Sequence, residues 1–417
     1  MFRIPAAAIA VDAGDLALGG GLFALLRPAL DRLEAGGAVA LLSTQRSVRE
    51  DLPAWCRVEH HDYLGVKEIA PGRDQHLIVR GRLGIPEGTL EKGVRLTPRG
   101  GRITAADVLA AIPMPETANP GTGFAPRGAR VEPGGPTYPF TLLDRDRVAP
   151  PEVAQLYDQA VSSQWDASHD IPWDKVAELP PELETAVCQI MTFLAENELS
   201  ALYVPSRFIS RIHPLYVEVA MFLGTQLNDE ARHLDVFLKR ARAGGGGLGI
   251  STAITSRSLR SLLVPEDFTE SSFLLSVLGE GTFLDLLRFI EEHAPDEATA
   301  EIAKRARVDE TRHVHFGVAH VRHALAHDPG LFVRLEAAVR RRAATLHGIE
   351  SVPAPIQDSL TVLAARGALP REISKGHQAF QQLLEDMHAS RVKRLQSAGF
   401  TREQAETLSG LHTSNFM

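Results

Sequence analysis

The sequence predicts an α+β multidomain fold, with a small α/β two-layer domain at the N-terminus, then an all-α four-helix bundle and a C-terminal helical extension. Three observations lead to this prediction. Short apolar runs near the N-terminus are flanked by turn residues, which is typical of strands. Residues 113–137 are dense in proline and glycine, which disfavours both helix and strand. From about residue 150 onward the pattern is helical, with long amphipathic stretches.

The predicted domains follow this order along the 417 residues, a length that allows two or three separate cores. The first domain covers residues 1–85, with a helix over 21–36 and strands at 38–43 and 76–81. The Pro/Gly-rich linker region, the bundle and the helical extension are then expected at 86–148, 149–345 and 346–417.

One connection inside the bundle region is unusually long. Residues 244–272 begin with a run of glycines and show no clear periodicity. Most connections within compact domains are shorter than this. A long crossover between two helix pairs needs such a segment, so the sequence predicts one here.

Composition and charge exclude several classes of function. Hydrophobic residues make up 44% and charged residues 23%, and no apolar run reaches the roughly 18 residues of a membrane-spanning helix. The net charge is −8 and the pI is about 6.1, which argues against nucleic acid as a partner. With only Cys56 and Cys188 and a poor secretory signal at the start, the expected location is a reducing cytoplasm.

A pentapeptide pattern, Asp-Glu-x-Arg-His, occurs twice, 80 residues apart. Residues three apart in a helix share a face. Glu230 therefore points the same way as His233, and the second copy supplies the equivalent pair Glu310 and His313. Carboxylate oxygen and imidazole nitrogen together suit Fe, Mn or Zn.

A two-metal bundle also needs one carboxylate from each of the two remaining helices. Glu280 precedes Glu310 by 30 residues and Glu198 precedes Glu230 by 32, enough for the rest of one helix, a turn and a return helix. Each lies on the apolar stripe of its predicted helix, where an uncompensated carboxylate is costly. The sequence therefore predicts six metal ligands: Glu198, Glu230, His233, Glu280, Glu310 and His313.

The main alternative is that these residues form ion pairs on solvated helix faces, as Glu, Arg and His usually do. A third Glu-x-x-His, at Glu385 and His388, receives no role because about one such match arises by chance in a chain this long. Glu196 competes with Glu198 but lies roughly opposite it on the helix. Among the other histidines, His315 is the candidate for an extra ligand.

The two aspartates of the repeated motif have two interpretations. Asp229 and Asp309 could each orient the ligand histidine of the opposite motif, as carboxylates outside a metal's ligand set often do. Ordinary ion pairs along each helix explain them equally well.

Residues 165–330, within the predicted bundle, resemble the ferritin-like dimetal-carboxylate superfamily. It includes multicomponent monooxygenase hydroxylases, N-oxygenases and the ribonucleotide reductase small subunit. The resemblance rests on the six predicted ligands and on the segment WDASHDIPW at 165–173. It implies two iron ions, or iron with manganese, and O2 as co-substrate. In the reductase subunit a radical-forming tyrosine follows the first motif's histidine by one turn. Here Phe237 and Gly317 occupy the equivalent positions, which argues against a stable tyrosyl radical.

The N-terminal domain resembles the small sulfur-carrier proteins of the TusA/SirA type. The resemblance rests on LLRPALDRLEAGGAVALLST, REDLPAWCRVEHHDYLG and HLIVRG. Those proteins carry a reactive cysteine in a Cys-Pro pair at the start of the first helix. That place falls near residues 19–20, which are glycines, and Cys56 lies in the second half. We therefore expect the fold without sulfur transfer, as a docking or substrate-presenting module.

Together, the motifs and the resemblance predict a non-heme dimetal oxidase or oxygenase that activates O2 to oxidise an organic small molecule. An electron donor is an expected partner, and because bundles of this type often pair, a homodimer is an expected assembly. Three alternatives stay open: iron oxidation like that of ferritin or rubrerythrin without an organic substrate, a single structural or hydrolytic metal, and an interaction module with a vestigial bundle. The residues expected to line a substrate pocket or the core around it are Phe193, Leu194, Phe222, Phe283 and Leu284.

Overall fold

The computed structural model describes residues 6–81, 95–131, 134–346 and 352–412. The chain forms two compact units, the smaller of residues 1–94 with 121–137 and the larger of 95–120 with 138–417. Four stretches of the predicted linker and extension lie outside the described residues: 86–94, 132–133, 347–351 and 413–417. The domain limits drawn from the sequence stay predictions.

The smaller unit is an α/β structure in two layers. Its elements are β1 Ile9–Asp12, α1 Phe23–Asp31, β2 Ala38–Ser43, α2 Val48–Val58, β3 Asp62–Ala70 and β4 Arg73–Val79. The strand order is β1-β2-β4-β3, with β1 parallel to β2 and the other pairs antiparallel. Alternate residues of β2, Val39 and Leu41, pack with α1 and α2 in one apolar core, because successive strand side chains point to opposite faces.

The predicted helix and both predicted strands of this unit are present as α1, β2 and β4, while three elements had no clear sequence signal. Strand β3 is the clearest case. It lies at the sheet edge and most of its side chains, including Leu64, Val66 and Ile69, are exposed, so it has no buried apolar face. Its charged residues Asp62, Lys67 and Glu68 limit unwanted pairing of this edge with other chains.

The larger unit is helical. Its helices are α3 Ala105–Ala110, α4 Val153–Ser162, α5 Pro181–Ile209, α6 Val217–Ala243, α7 Ala253–Leu262, α8 Phe268–Ser272, α9 Gly281–His293, α10 Glu297–His327, α11 Leu331–Thr345, α12 Ala354–Ala365, α13 Pro370–Ser397 and α14 Arg402–Leu411. A π-helical segment, Phe273–Glu280, joins α8 to α9 without a break.

Four long helical segments make the bundle: α5, α6, the run 268–293 and α10. Helix α5 packs against α6, and α9 packs against α10. The C-terminal helices α12 and α13 pack on α5 and α9 and share the apolar core of the bundle. The predicted fold class, a small α/β unit and a four-helix bundle with a helical extension, is therefore confirmed. Within the described residues, no helix is long and apolar enough to cross a membrane.

The long connection after α6 contains a helix that the sequence pattern did not indicate. Helix α7 lies within 244–272 and begins at Thr252, whose side chain accepts a hydrogen bond from the Thr255 backbone. Its buried face consists mainly of small hydroxyl residues, Thr255, Ser258 and Ser261. Because periodicity is read from apolar residues, a polar buried face leaves no helical pattern.

Part of the segment predicted as linker is bonded to the larger unit. The Asp158 carboxylate of α4 accepts hydrogen bonds from the backbone nitrogens of Ala105 and Ala106, at the start of α3. The hydroxyl of Tyr216 donates to the carbonyl of Leu143. Dense proline and glycine disfavour long regular elements, but they leave irregular chain free to bond to its neighbours.

Candidate metal centre

The six predicted ligands meet in the middle of the bundle. Helix α5 carries Glu198, α6 carries Glu230 and His233, the end of the π-helical segment carries Glu280, and α10 carries Glu310 and His313. Each side chain is at most 3% exposed. Burial to this extent excludes the alternative of ion pairs on solvated helix faces.

The six residues form two overlapping groups. Glu198 and His233 belong to one group, and Glu280 and His313 belong to the other. Glu230 and Glu310 belong to both. Within each group, one ligand atom per residue lies within 4.8 Å of the others. This is the arrangement expected for two neighbouring metal ions joined by two shared carboxylates, each with its own glutamate and histidine.

Both histidines present Nδ1 to the carboxylates. Nδ1 of His233 lies 3.2 Å from Oε1 of Glu310 and 3.4 Å from Oε2 of Glu230. Nδ1 of His313 lies 3.1 Å from Oε1 of Glu230. These contacts lack hydrogen-bond geometry, so both Nδ1 atoms and both Glu230 oxygens are buried without a hydrogen-bond partner. Buried polar atoms are normally satisfied, and a metal ion between them would satisfy this set.

The other nitrogen of each histidine contacts an aspartate of the opposite motif. Nε2 of His233 lies 3.1 Å from Asp309, and Nε2 of His313 lies 3.2 Å from Asp229. An Nε2–H bond to the aspartate leaves the Nδ1 lone pair directed at the carboxylates. Each aspartate therefore contacts the histidine of the opposite motif, as the first interpretation expects, and each also pairs with the arginine of its own helix, as the second expects.

Both aspartates also accept hydrogen bonds from the motif arginines. Arg232 donates to Asp229 at 2.5 Å and to Asp309 at 2.8 Å, and Arg312 bonds to the same two carboxylates. The indole nitrogen of Trp165 donates to Asp309 at 2.7 Å. These bonds hold the two aspartates in place behind the histidines, so the orientation of each imidazole is determined by a network from three elements.

The charges of this network suit two divalent cations. With every carboxylate ionised and both histidines neutral, as metal binding requires, four glutamates and two aspartates carry six negative charges, and two arginines compensate two of them. Four negative charges remain in an interior site, where uncompensated charge is expensive. Two divalent ions neutralise this excess.

The pKa values point in the same direction. Burial raises the pKa of Glu198 and of Glu280 well above the ordinary carboxyl value, and neighbouring carboxylates add to the increase. Burial alone would lower the pKa of His233 and His313, but the surrounding carboxylates outweigh burial and raise it well above the ordinary value. The cluster therefore attracts positive charge strongly, as protons or as metal ions.

Glu280 is positioned by the π-helical segment and by α6. Such wide turns occur frequently at functional sites. The side-chain amide of Gln226 donates to Oε1 of Glu280 at 3.1 Å, while Oε2 is buried without a hydrogen-bond partner. Gly317 of α10 lets the segment approach closely, because a Cβ there would lie 2.6 Å from Cβ of Ser276.

The other glutamates and histidines that the sequence analysis considered as metal ligands lie outside both ligand groups. Glu196 is only half-buried and belongs to neither group. His315 is exposed, so the expectation that it could be an extra ligand is wrong. Glu385 and His388 are exposed and belong to neither ligand group, and His388 is hydrogen-bonded to Ser409.

Most of the expected pocket residues belong to the packed interior. Phe193, Leu194, Phe222 and Phe283 are buried and Leu284 is partly buried. The rings of Phe193 and Phe283 stack at 6.1 Å. A cavity of about 500 Å³ lies between α7 and α11, and none of the six ligands lines it.

Three residues of the site were not predicted from the sequence as contributors. Trp165 belongs to the segment WDASHDIPW, which was noted only as a resemblance. Gln164 donates to Asp229 at 3.1 Å and accepts from Arg232. Gln226 precedes Glu230 by one helical turn, and that spacing is the signal that could have identified it.

The fold and the site therefore define a four-helix bundle with a buried carboxylate–histidine cluster that can bind two metal ions. No known family profile matches the chain, and no curated protein matches it. Among solved structures, a variant of the R2-like ligand-binding oxidase with aerobically reconstituted Mn/Fe cofactor has a TM-score of 0.47 and 18% identity, over 60% of this chain and 94% of that one. Another variant, with aerobically reconstituted Fe/Fe cofactor, has a TM-score of 0.48 at the same identity and coverage. Similarities at this level decide neither fold nor function.

Proposed function

We propose that the protein is a non-heme dimetal oxidase or oxygenase that uses O2 to oxidise an organic small molecule. The observation that carries the proposal is the pair of ligand groups that share Glu230 and Glu310 in the interior of the bundle. The six ligands of this proposal are Glu198, Glu230, His233, Glu280, Glu310 and His313.

Iron in both positions, or iron with manganese, suits this ligand set. Carboxylate oxygens and imidazole nitrogens favour these ions, and the groups contain no thiolate of the kind that structural zinc sites use. When bound, the two ions supply the electrons and the O2-binding positions that side chains do not provide.

The residues of the chain would hold and insulate the centre. Glu230 and Glu310, which belong to both ligand groups, would be shared by the two ions. Asp229 and Asp309 keep the Nε2 proton of the histidines in place, so that each Nδ1 is free to bind. Aromatic side chains such as Phe237, which is 0% exposed and 6.4 Å from the His233 ring, exclude bulk water.

The proposal extends to the partners. The substrate is an organic small molecule, and an oxygenase cycle needs electrons beyond those of the substrate, so an electron donor is part of the proposal. A homodimer is the proposed assembly, and the cytoplasm is the proposed location. The substrate itself is to be found by screening the metal-loaded protein.

The test is metal analysis of the purified protein combined with the optical change when the reduced, iron-loaded protein meets air. We expect close to two metal ions per chain and a new absorption band between the near ultraviolet and the red. Glu198→Ala and His233→Ala should lose metal and the band. Two matched controls, Glu196→Ala on the same helix as Glu198 and His388→Ala in the unused Glu-x-x-His, should retain both.

Other outcomes would redirect or overturn the proposal. A single round of iron oxidation, without consumption of any organic substrate over repeated additions of reductant, would support the ferritin- or rubrerythrin-like alternative. One zinc per chain and no reaction with air would contradict the dimetal assignment. Equal metal retention in Glu198→Ala and Glu196→Ala would also contradict it.

A further inference from the structure

A second cluster of metal-binding side chains lies at the C-terminal end of α10. His323 and His327 are one helical turn apart and face Asp146, which lies in the short helical turn Arg145–Arg147. One ligand atom from each of the three residues lies within 4.8 Å of the others. Two histidines and one carboxylate form a ligand set that transition metals commonly use in proteins.

The Asp146 carboxylate lies between the two imidazoles. Nε2 of His323 lies 3.2 Å from Oδ1, and Nε2 of His327 lies 3.9 Å from Oδ2. A direct hydrogen bond explains the first contact. The second is too long for a hydrogen bond. A metal ion at the usual zinc–nitrogen and zinc–oxygen distances of about 2.0–2.2 Å would fit between atoms with such separations.

The tautomer of His327 favours metal binding. Its Nδ1 lies 2.8 Å from the backbone carbonyl oxygen of His323, so Nδ1–H donates to that oxygen. The Nε2 lone pair is then directed toward Asp146. Metal-binding histidines typically have their other nitrogen bonded in this way, to a backbone carbonyl or a carboxylate.

One cation already contacts the cluster. Nε of Arg145 lies 3.3 Å from Oδ1 of Asp146, the oxygen nearest to His323. This contact uses Oδ1, whereas the oxygen paired with His327 is Oδ2. A metal ion can bind Oδ2 and both Nε2 atoms while the guanidinium keeps its bond to Oδ1, and the ion then replaces the Nε2 proton of His323 and its hydrogen bond to Oδ1.

The cluster is separate from the bundle centre. His323 follows His313 by ten residues on the same helix, which corresponds to about 15 Å along the axis. Its side chains are also more accessible, with 14% exposure for His323, 45% for His327 and 35% for Asp146. Water could therefore complete the coordination of an ion bound there.

We propose that Asp146, His323 and His327 bind one Zn²⁺ ion, with water in the remaining position. The three donors are imidazole nitrogen and carboxylate oxygen, which zinc accepts in four-coordinate sites. The bound ion ties the turn Arg145–Arg147 to the end of the helix that carries Glu310 and His313. Zinc at this site stabilises the larger unit, and it does so independently of the proposed oxidase function.

The test is zinc uptake by the full-length protein whose bundle is already loaded with iron. After removal of free metal, Zn²⁺ is added in competition with a chromophoric chelator, and zinc and iron are both counted. The parent should bind one zinc beyond its iron. His323→Ala and His327→Ala should each weaken zinc binding by at least about tenfold, because each removes a donor. His315→Ala, at an exposed position of the same helix, is the matched control and should bind as the parent does.

A second measurement distinguishes loss of the zinc site from misfolding of the variants. Each variant must keep its iron, and Co²⁺ in place of Zn²⁺ should give the visible bands of a four-coordinate site in the parent and in His315→Ala only. Zinc binding that is equal in the parent and in both histidine variants would overturn the proposal. If these three residues bind no zinc, the dimetal proposal for the bundle still stands, because the iron count tests that proposal separately.

Discussion

Each ligand histidine of the bundle uses one nitrogen for the proposed metal and the other for an aspartate of the opposite motif. The pattern Asp-Glu-x-Arg-His is therefore a reciprocal unit. Its glutamate and histidine face the centre, while Asp229 holds His313 and Asp309 holds His233. The arginine of each copy bridges both aspartates, which keeps the two helices in register at the site.

The first prediction concerns Asp309. Replacing it with Asn keeps an oxygen that can accept from Trp165 but removes the negative charge that orients His233. We expect iron affinity to fall by about 10–100-fold, the usual effect of losing such a partner. Iron retained after dialysis against a graded series of chelator concentrations measures this. Asp235→Asn, an exposed position on α6, is the control, and equal retention in both variants would contradict the proposed role of Asp309.

The second prediction concerns the two cysteines and pH. Burial raises the pKa of Cys56 to about 12, and burial together with the charge of Glu184 raises that of Cys188 to about 11. A raised thiol pKa means that the reactive thiolate is scarce until the pH approaches that value. We expect neither thiol of the native protein to react with a disulfide reagent at pH 8, and both to react after unfolding. Rapid native labelling of Cys56 would instead favour a sulfur-carrying role.

At the scale of single elements, the π-helical segment Phe273–Glu280 is the feature on which the site depends most. It delivers Glu280 to the centre and packs against α10 at Gly317, where the two backbones approach closely. A side chain at position 317 would press on Ser276, four residues before Glu280. The lack of a tyrosine at this position therefore has a steric reason, since a bulky ring cannot fit there.

The third prediction compares two helical glycines. Gly317→Ala should destabilise the protein by about 1–3 kcal/mol through overpacking and should lower metal content by displacing Glu280. Gly224→Ala is the matched control, because a Cβ there meets nothing within 4 Å, and it should be neutral or stabilising by up to about 1 kcal/mol. Chemical denaturation with iron analysis measures both effects. Equal stability of the two variants would show that the π-helical segment can accommodate the added methyl group without any loss in the free energy of unfolding.

At the scale of the whole molecule, the bundle concentrates negative charge in its interior. Four helical segments contribute to the two ligand groups, three segments to each group, so two ions bound there would together connect all four. Binding to the native state alone stabilises it by mass action. The smaller α/β unit has its own core and carries none of the six ligands. The role that we propose for it is therefore docking or substrate presentation.

The fourth prediction uses Mn²⁺, which binds similar ligands. The unfolding temperature should rise with Mn²⁺ concentration, corresponding to about 2.7 kcal/mol when the free ion is at 100 times its dissociation constant. The double variant Glu230→Gln, Glu310→Gln should show little rise, since both shared carboxylates are lost. Calorimetry over a range of Mn²⁺ concentrations measures this. If the unfolding temperature of the double variant rises equally, the stabilising Mn²⁺ ion binds outside the cluster.

Several features of the site could be predicted from the sequence because they follow from local geometry. Helical spacing puts Glu230 beside His233, and burial cost marks Glu198 and Glu280 as residues that need a partner. The strands and helices with apolar periodicity were predicted for the same reason. Helix α7 and strand β3 were missed because the buried face of α7 is polar and most of β3 is exposed.

The sequence by itself determined the composition of the centre: which residues can bind metal, on which helices, and with what charge. Only the tertiary structure decided how they are shared, with Glu230 and Glu310 in both groups and each aspartate bonded to the opposite histidine. It also brought Trp165 and Gln226 to the site and joined Asp146 to His323 and His327. The physical reason is that spacing along one helix is set by the backbone, whereas contacts between helices depend on how their side chains pack.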